Sequence, residues 1–409
     1  MRLAFISSVL PDHEPVTGFE IATRAIIEEL TRCGVELSFV GFTRPGERPL
    51  RVNEISLGEI EFENAAVGTA KKIEWVAQAF SKGLPVAAAK LAVLSRDEIE
   101  ARIAAAGEVD GFVLNSVQMP AAYPFLASAR PSIFIAHNVE HRSAAENAIN
   151  ASSPLERGLY RREARLLAKI EQRLCREARL VHTFSAEDAA GLCPDAGERC
   201  IPLALSIGRP QRADDGERSH DVGLIGNWSW APNRVGLDWF VREVAPLLPS
   251  DVSVAIAGRF DGPPPAAPAS VRFLGRVPDA QGFVLSSRVI ALATKGGTGV
   301  QLKTIEAFEE GMPAVATPSA LRGVDFCPAN VRVADDPAAF AVALADLVRG
   351  TRDGTIGRED GSRFAARQRE ALSNGLRRGL AAFSPTSAAA SIAGDGASDR
   401  RRPMAGHGS

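Results

Sequence analysis

Short apolar runs alternate with amphipathic stretches along nearly the whole chain, and the alternation restarts once. Leu3 to Val9 is an apolar run, and the loop from Pro11 to Gly18 carries two prolines. Phe19, Ile21, Ala22, Ala25, Ile26 and Leu30 then recur at helical spacing until Gly34. Val35 to Phe42 reads as the next strand, with a turn-rich exit from Thr43. Strand, helix and strand with a short return is the pattern of a parallel sheet. The same reading gives a helix over about 96–106, strands over 111–115 and 132–136, a charged helix over about 154–178 and a strand over 180–184. Ser185 follows as an N-cap, with Glu187 and Asp188 in the first turn. Residues 206–220 are polar and turn-rich, the best linker in the chain. Beyond them the pattern predicts strands over 222–226, 252–258, 271–274, 289–293 and 314–317, with helices over about 233–248, 301–310 and 362–383. The fold class is therefore α/β, with two doubly wound domains side by side. In such folds a small ligand sits at the carboxyl ends of the strands.

Composition removes several function classes. Lys plus Arg is 47 against 49 Asp plus Glu, a net charge of −2, which argues against bulk nucleic-acid binding. The five cysteines are scattered and form no C-x-x-C pair, so neither a disulfide framework nor a zinc ribbon is expected. The apolar start Leu3–Leu10 is too short for a signal peptide and is followed by Asp12, His13 and Glu14. No apolar run of about 18 residues occurs, so no membrane span is expected. A cytoplasmic protein is expected, with peripheral contact at the inner face of a membrane left open. The arginine-rich helix over 157–176 interleaves Glu163, Glu171 and Glu177, which reads as a solvated face.

The most informative stretch runs from Ala293 to Pro318. A strand ends, a loop carries Gly296, Gly297 and Gly299, and a helix begins. Glycines leave backbone N–H groups uncovered, and a helix N-terminus adds about half a positive charge. That is a physical site for a diphosphate. Lys303 can answer phosphate charge, and Glu306, three residues on, can accept two hydroxyl hydrogen bonds. The plain alternative is a tight turn with a surface ion pair between Lys303 and Glu306.

Residues 296–324, GGTGVQLKTIEAFEEGMPAVATPSALRGV, resemble the nucleotide-sugar segment of the family 4 glycosyltransferases, of the group 1 type and the GT-B fold. The resemblance implies that Glu306 binds the nucleotide ribose. The family's first glutamate, which meets the transferred sugar, falls at Thr298, so sugar contacts here must differ. Asp221–Arg234 resembles the opening of the family's second domain, whose loop faces the phosphates; Gly226, Asn227, Asn233 and Arg234 are the matching polar candidates. Arg234 offers a paired guanidinium fork, although it could equally begin a solvated helix while Trp228, Trp230 and Pro232 pack the loop. Val271–Asp279 resembles the stretch against the base, which places Arg276 and Val277 there by position. Ile135–His141 resembles a strand end whose histidine lies beside the transferred sugar, making His137 the reactive-centre candidate and Glu140 and His141 weaker ones. Gly18 stands where the family places a glycine loop under the diphosphate.

The resemblance implies a first, acceptor domain over 1–205 and a nucleotide-sugar domain over 206–365. A helix over 366–384 would return toward the first domain, and a tail over 385–409, poor in large apolar residues, would be disordered. The implied function is transfer of a hexosyl group from a nucleotide diphosphate-sugar, UDP- or GDP-linked, to a hydroxyl acceptor such as a lipid-linked saccharide. Retention of configuration is implied by the family, as is metal independence, with which the lack of an Asp-x-Asp motif agrees. No cofactor and no metal are expected. Two other readings stand beside it: a non-catalytic nucleotide-binding scaffold, motivated by Thr298, and a nucleotide-sugar epimerase of the same fold.

Overall fold

The fold is described from a computed structural model covering residues 1–11, 14–15, 17–49, 51–61, 66–194, 197–260 and 262–383. The expected tail over 385–409 lies outside these residues.

Seven parallel strands form the first sheet: β1 (Arg2–Val9), β2 (Glu36–Thr43), β3 (Glu54–Glu59), β4 (Gly111–Asn115), β5 (Ser132–Ile135), β6 (Leu180–Thr183) and β7 (Cys200–Pro202), in the order β3-β2-β1-β4-β5-β6-β7. Six more form the second: β8 (His220–Asn227), β9 (Val254–Arg259), β10 (Val271–Gly275), β11 (Ser287–Leu292), β12 (Ala314–Ala316) and β13 (Val331–Val333), in the order β10-β9-β8-β11-β12-β13. In each sheet the first strand of its half lies centrally and the order reverses beside it. That switch point, between β1 and β4 and between β8 and β11, opens a crevice at the carboxyl ends.

The central strands are apolar on both faces because helices cover both, so they read as runs rather than as alternation. Five consecutive residues of β1, Leu3 to Ser7, are buried. Helix Gly18–Arg32 begins at Thr17, whose hydroxyl accepts the Glu20 N–H while the Glu20 carboxylate accepts the Thr17 N–H at 2.9 Å. Gly34 ends that turn at φ +80°, a conformation that costs a residue with a Cβ.

One expected helix differs. The stretch over 233–248 is helical only across Ala231–Trp239, continues as a wide turn over Phe240–Val244 and tightens over Ala245–Leu247. Pro246 has no N–H to give a regular ladder, and the ladder slips ahead of it.

The linker is anchored. Glu309 accepts from the Ser206 hydroxyl at 2.5 Å and from the Ile207 N–H at 2.9 Å. Helix Ser362–Ala381 crosses both halves: Gln368 donates to the Leu205 carbonyl at 3.0 Å, and the ring of Phe364 meets Phe308 edge-on at 5.3 Å.

Candidate functional site

The glycine-rich loop after β11 is pressed against the first domain. Gly297 and Gly299 adopt φ of +87° and +73°. A Cβ on Gly299 would stand 2.6 Å from the carbonyl oxygen of His137, so only glycine permits this approach. The Gly297 N–H donates to Glu146 Oε2 at 2.9 Å, and the Gly299 N–H donates to Asp188 Oδ2 at 2.7 Å. Thr298, only 2% exposed, accepts the Val139 N–H at 3.2 Å and shares a hydrogen bond with Ser143 at 2.9 Å. In this arrangement the amides expected to hold a diphosphate already hold carboxylates. Behind the loop, Arg322 donates to the carbonyls of Gly296, at 2.9 Å, and Gly297. Burial lowers the Arg322 guanidinium pKa, against the pull of Asp188, Glu146 and Glu187.

Helix Leu302–Glu309 starts directly after the loop. Gly18, the first residue of its own helix, faces that start: a Cβ there would stand 3.3 Å from Leu302 Cδ1. Lys303 hydrogen-bonds Asn233 Oδ1 at 3.2 Å and lies 5.9 Å from the ring of Trp228. Burial lowers its pKa to about 8. The expected alternative, an ion pair between Lys303 and Glu306, is not formed. Glu306 pairs instead with Arg209 of the linker, and burial raises its pKa.

His137 is 8% exposed and sits between Phe19, at 4.4 Å, and Phe184, at 5.1 Å. Its Nε2 is 2.7 Å from Asn115 Oδ1, and Asn115 donates onward to Thr23 at 3.0 Å. Burial pushes its pKa down to about 3, so the ring stays neutral. What the loop over 296–299 meets is the main chain of His137, not its ring. Glu171 organises the next turn, accepting the N–H groups of Glu140 at 2.7 Å and His141 at 3.1 Å, and His141 Nδ1 at 2.6 Å. Burial, with Glu171 facing it, raises Glu140 to about 7.

Asn227 joins Lys303 through Asn233, whereas Arg234, Arg276 and Val277 stand apart. Arg234 pairs with Asp238 one turn along its own helix at 3.1 Å. Asn227 folds its loop, accepting the Ser229 N–H at 3.2 Å through its side chain and the Asn233 amide at 3.0 Å through its carbonyl. Trp228 is buried and donates to the Ala257 carbonyl at 2.8 Å. Arg276 is exposed, and Val277 packs near Ala255 and Phe283. The structure thus gathers Gly18, the His137 main chain, Gly297, Thr298, Gly299 and Lys303, with Glu306 one turn along the same helix. Sequence reading missed Glu146, Asp188, Arg209 and Arg322, whose partners are all distant in the chain.

A cavity of about 740 Å³ opens in the first domain beside Phe19, at the ends of β1 and β2. Val9, Leu10, Phe19, Ile27, Arg24 and Arg44 are among the residues that line it.

Residues 219–350 match the family model described as Glycosyl transferases group 1. No curated protein sequence matches the chain. Among solved structures it is similar to sucrose-phosphate synthase from Thermosynechococcus elongatus, at 16% identity and a TM-score of 0.58 over 96% of this chain and 97% of that one. It is also similar to WaaG, a glycosyltransferase involved in lipopolysaccharide biosynthesis, at 14% identity and a TM-score of 0.55 over 93% and 98%. HepE from Anabaena, solved with UDP and glucose, matches at 14% identity and a TM-score of 0.51 over 97% and 99%. At these identities the likeness is one of fold, the GT-B arrangement of two Rossmann-like domains. Among the described residues no helix is long and apolar enough to cross a membrane.

Proposed function

We propose that this chain transfers a hexosyl group from a nucleoside diphosphate-sugar to a hydroxyl acceptor, retaining configuration and without a metal. Lys303 carries the reading. A half-buried lysine is costly unless an anion answers it. Here the partner is the neutral Asn233, and the lysine stands on the first turn of the helix that follows the glycine loop. A diphosphate supplies the missing charge. Glu306 on the same helix would take the ribose diol in place of, or beside, Arg209.

The chemical task is to stabilise a leaving diphosphate, and fixed donors aimed at that charge are the largest catalytic contribution in sites of this kind. Lys303, the helix N-terminus and the backbone at Gly18 supply such donors. Asn227, Arg234, Arg276 and Val277 are assigned to the nucleotide side by position. His137, neutral and packed between Phe19 and Phe184, shapes the wall beside the sugar. UDP and GDP are the nucleotides favoured, and the HepE complex with UDP supports the first. The acceptor is assigned to surface polysaccharide or glycoconjugate synthesis, for which the fold shared with WaaG gives support.

Thermal unfolding with UDP-, GDP-, ADP- and TDP-sugars tests this. A ligand at a hundred times its dissociation constant adds about 2.7 kcal/mol. One nucleotide should raise the unfolding temperature by several degrees, and Lys303→Ala and Glu306→Ala should each lose the shift. No shift with any donor would overturn the reading, and the nucleotide-binding scaffold with it.

A further inference from the structure

The amides that would serve a diphosphate are filled by the chain's own carboxylates. Glu146, half-buried on helix Glu140–Asn150, takes the Gly297 N–H; Asp188, 3% exposed on helix Ala186–Leu192, takes the Gly299 N–H. Thr298 between them is bonded to Val139 and Ser143. Arg322 grips the far side of the loop through two carbonyls. Two segments of the first domain, 139–146 and the helix holding Asp188, therefore converge on a few consecutive residues of the second.

We propose that Glu146 and Asp188 form an anionic latch, which holds the glycine loop against the first domain and which the diphosphate of an incoming donor must displace. The inference rests on the function proposed above. An N–H that donates to a carboxylate is not free for a phosphate, and two anions do not share it. Carboxylate acceptors on backbone amides are among the stronger hydrogen bonds, so the latch is a real competitor. Its binding groups imitate the ligand's own: two acidic oxygens on the amides flanking Thr298. The absence of a Cβ at Gly299 lets the two domains meet there without a gap. The apparent affinity for a donor is the intrinsic affinity reduced by the unlatched fraction. The latched contacts bury Gly297, Thr298 and Gly299.

The test uses the full chain and the double variant Glu146→Gln, Asp188→Asn, which keeps the shape of both side chains and removes their charge. Calorimetric titration with inorganic pyrophosphate, UDP and GDP is paired with amide exchange over the peptide 293–301. The variant should bind pyrophosphate and the preferred nucleotide at least about tenfold more tightly, the scale of losing charged hydrogen bonds that compete. Its loop amides should exchange faster without ligand and regain protection with pyrophosphate. Uridine and guanosine, which carry no phosphate, should bind both proteins alike. Glu146→Gln alone should move both readouts in the same direction by less, which guards against misfolding of the buried Asp188 change. Unchanged affinity with unchanged exchange overturns the latch. Tighter pyrophosphate with unchanged exchange also overturns it, since it reports repulsion across an open cleft. If wild type and variants bind nucleotide equally, only the latch fails. If no protein binds pyrophosphate or nucleotide, the latch and the proposed function fail together.

Discussion

At the residue scale, Lys303 trades stability for function. Its pKa of about 8 in the folded chain lies below the free value of 10.5. Between pH 8 and 10.5 the unfolded chain therefore binds more protons, and stability rises with pH across that window. Below pH 8 the lysine imposes its full cost. Lys303→Met should accordingly stabilise the ligand-free protein, by about 1–3 kcal/mol in urea denaturation at pH 7, while abolishing the donor-induced thermal shift. A bound diphosphate favours the charged lysine, so donor binding above pH 8 should take up a proton, visible as a buffer-dependent calorimetric enthalpy. His182 gives a second case. It is fully buried, its Nδ1 bonds the Ile201 carbonyl at 3.0 Å, and burial lowers its pKa to about 4. The folded chain holds this ring neutral while the unfolded chain protonates it near pH 6.5, so its stabilising effect is lost as pH falls from 6.5 toward 4. The stability difference between wild type and His182→Gln should shrink by about 2 kcal/mol from pH 7 to pH 5.

At the element scale, helix Ser362–Ala381 holds Gly375 and Gly379 in its interior, where glycine is ordinarily unfavourable. Packing explains both. A Cβ on Gly375 would stand 2.6 Å from Leu203 Cδ2, and one on Gly379 would stand 2.6 Å from Leu180 Cδ2 and 2.7 Å from His182 Nε2. Gly379→Val should destabilise by about 1–3 kcal/mol through overpacking. Gly158, in helix Pro154–Glu177, meets nothing within 4 Å, so Gly158→Ala should instead stabilise by about 0.5–1 kcal/mol. Urea denaturation of both variants separates packing from propensity. Elements with two buried faces were legible in the sequence for the same physical reason: β4 came out residue for residue and β1 and β6 within one. What escaped lacks that signal. Helix Thr69–Lys82 buries only Trp75 and Ala79 and leaves Ile73 and Phe80 exposed, so it covers little of the core, and β7 and β13 are three-residue edge strands. At the site, local spacing brought out Lys303 and Glu306 on one helix. It could not reveal that Glu306 meets Arg209, 97 positions away, or that Thr298 meets Ser143, 155 positions away.

At the scale of the whole molecule, one apolar core runs through both halves. Leu180, Ile201 and Leu203 of the first half share it with Ile290, Ile305 and Phe308 of the second, and Phe364, Leu372 and Leu376 of the last helix complete it. The last helix thus fastens two sheets that could each fold around strands of their own. If that core couples them, the full chain should unfold in one calorimetric transition, with the van't Hoff and calorimetric enthalpies equal. Phe364→Ala removes the ring that meets Phe308 and leaves a cavity at the junction, a loss of about 3–5 kcal/mol by the usual cost of such truncations. The loss falls on the coupling rather than on either sheet. The variant should therefore melt in two steps, its van't Hoff enthalpy falling below the calorimetric one, and a saturating donor should bring the steps back together by bridging the cleft. A variant that still melts in a single step at a lower temperature would show that the direct contacts between loop 296–299 and the first domain, not the last helix, carry the coupling.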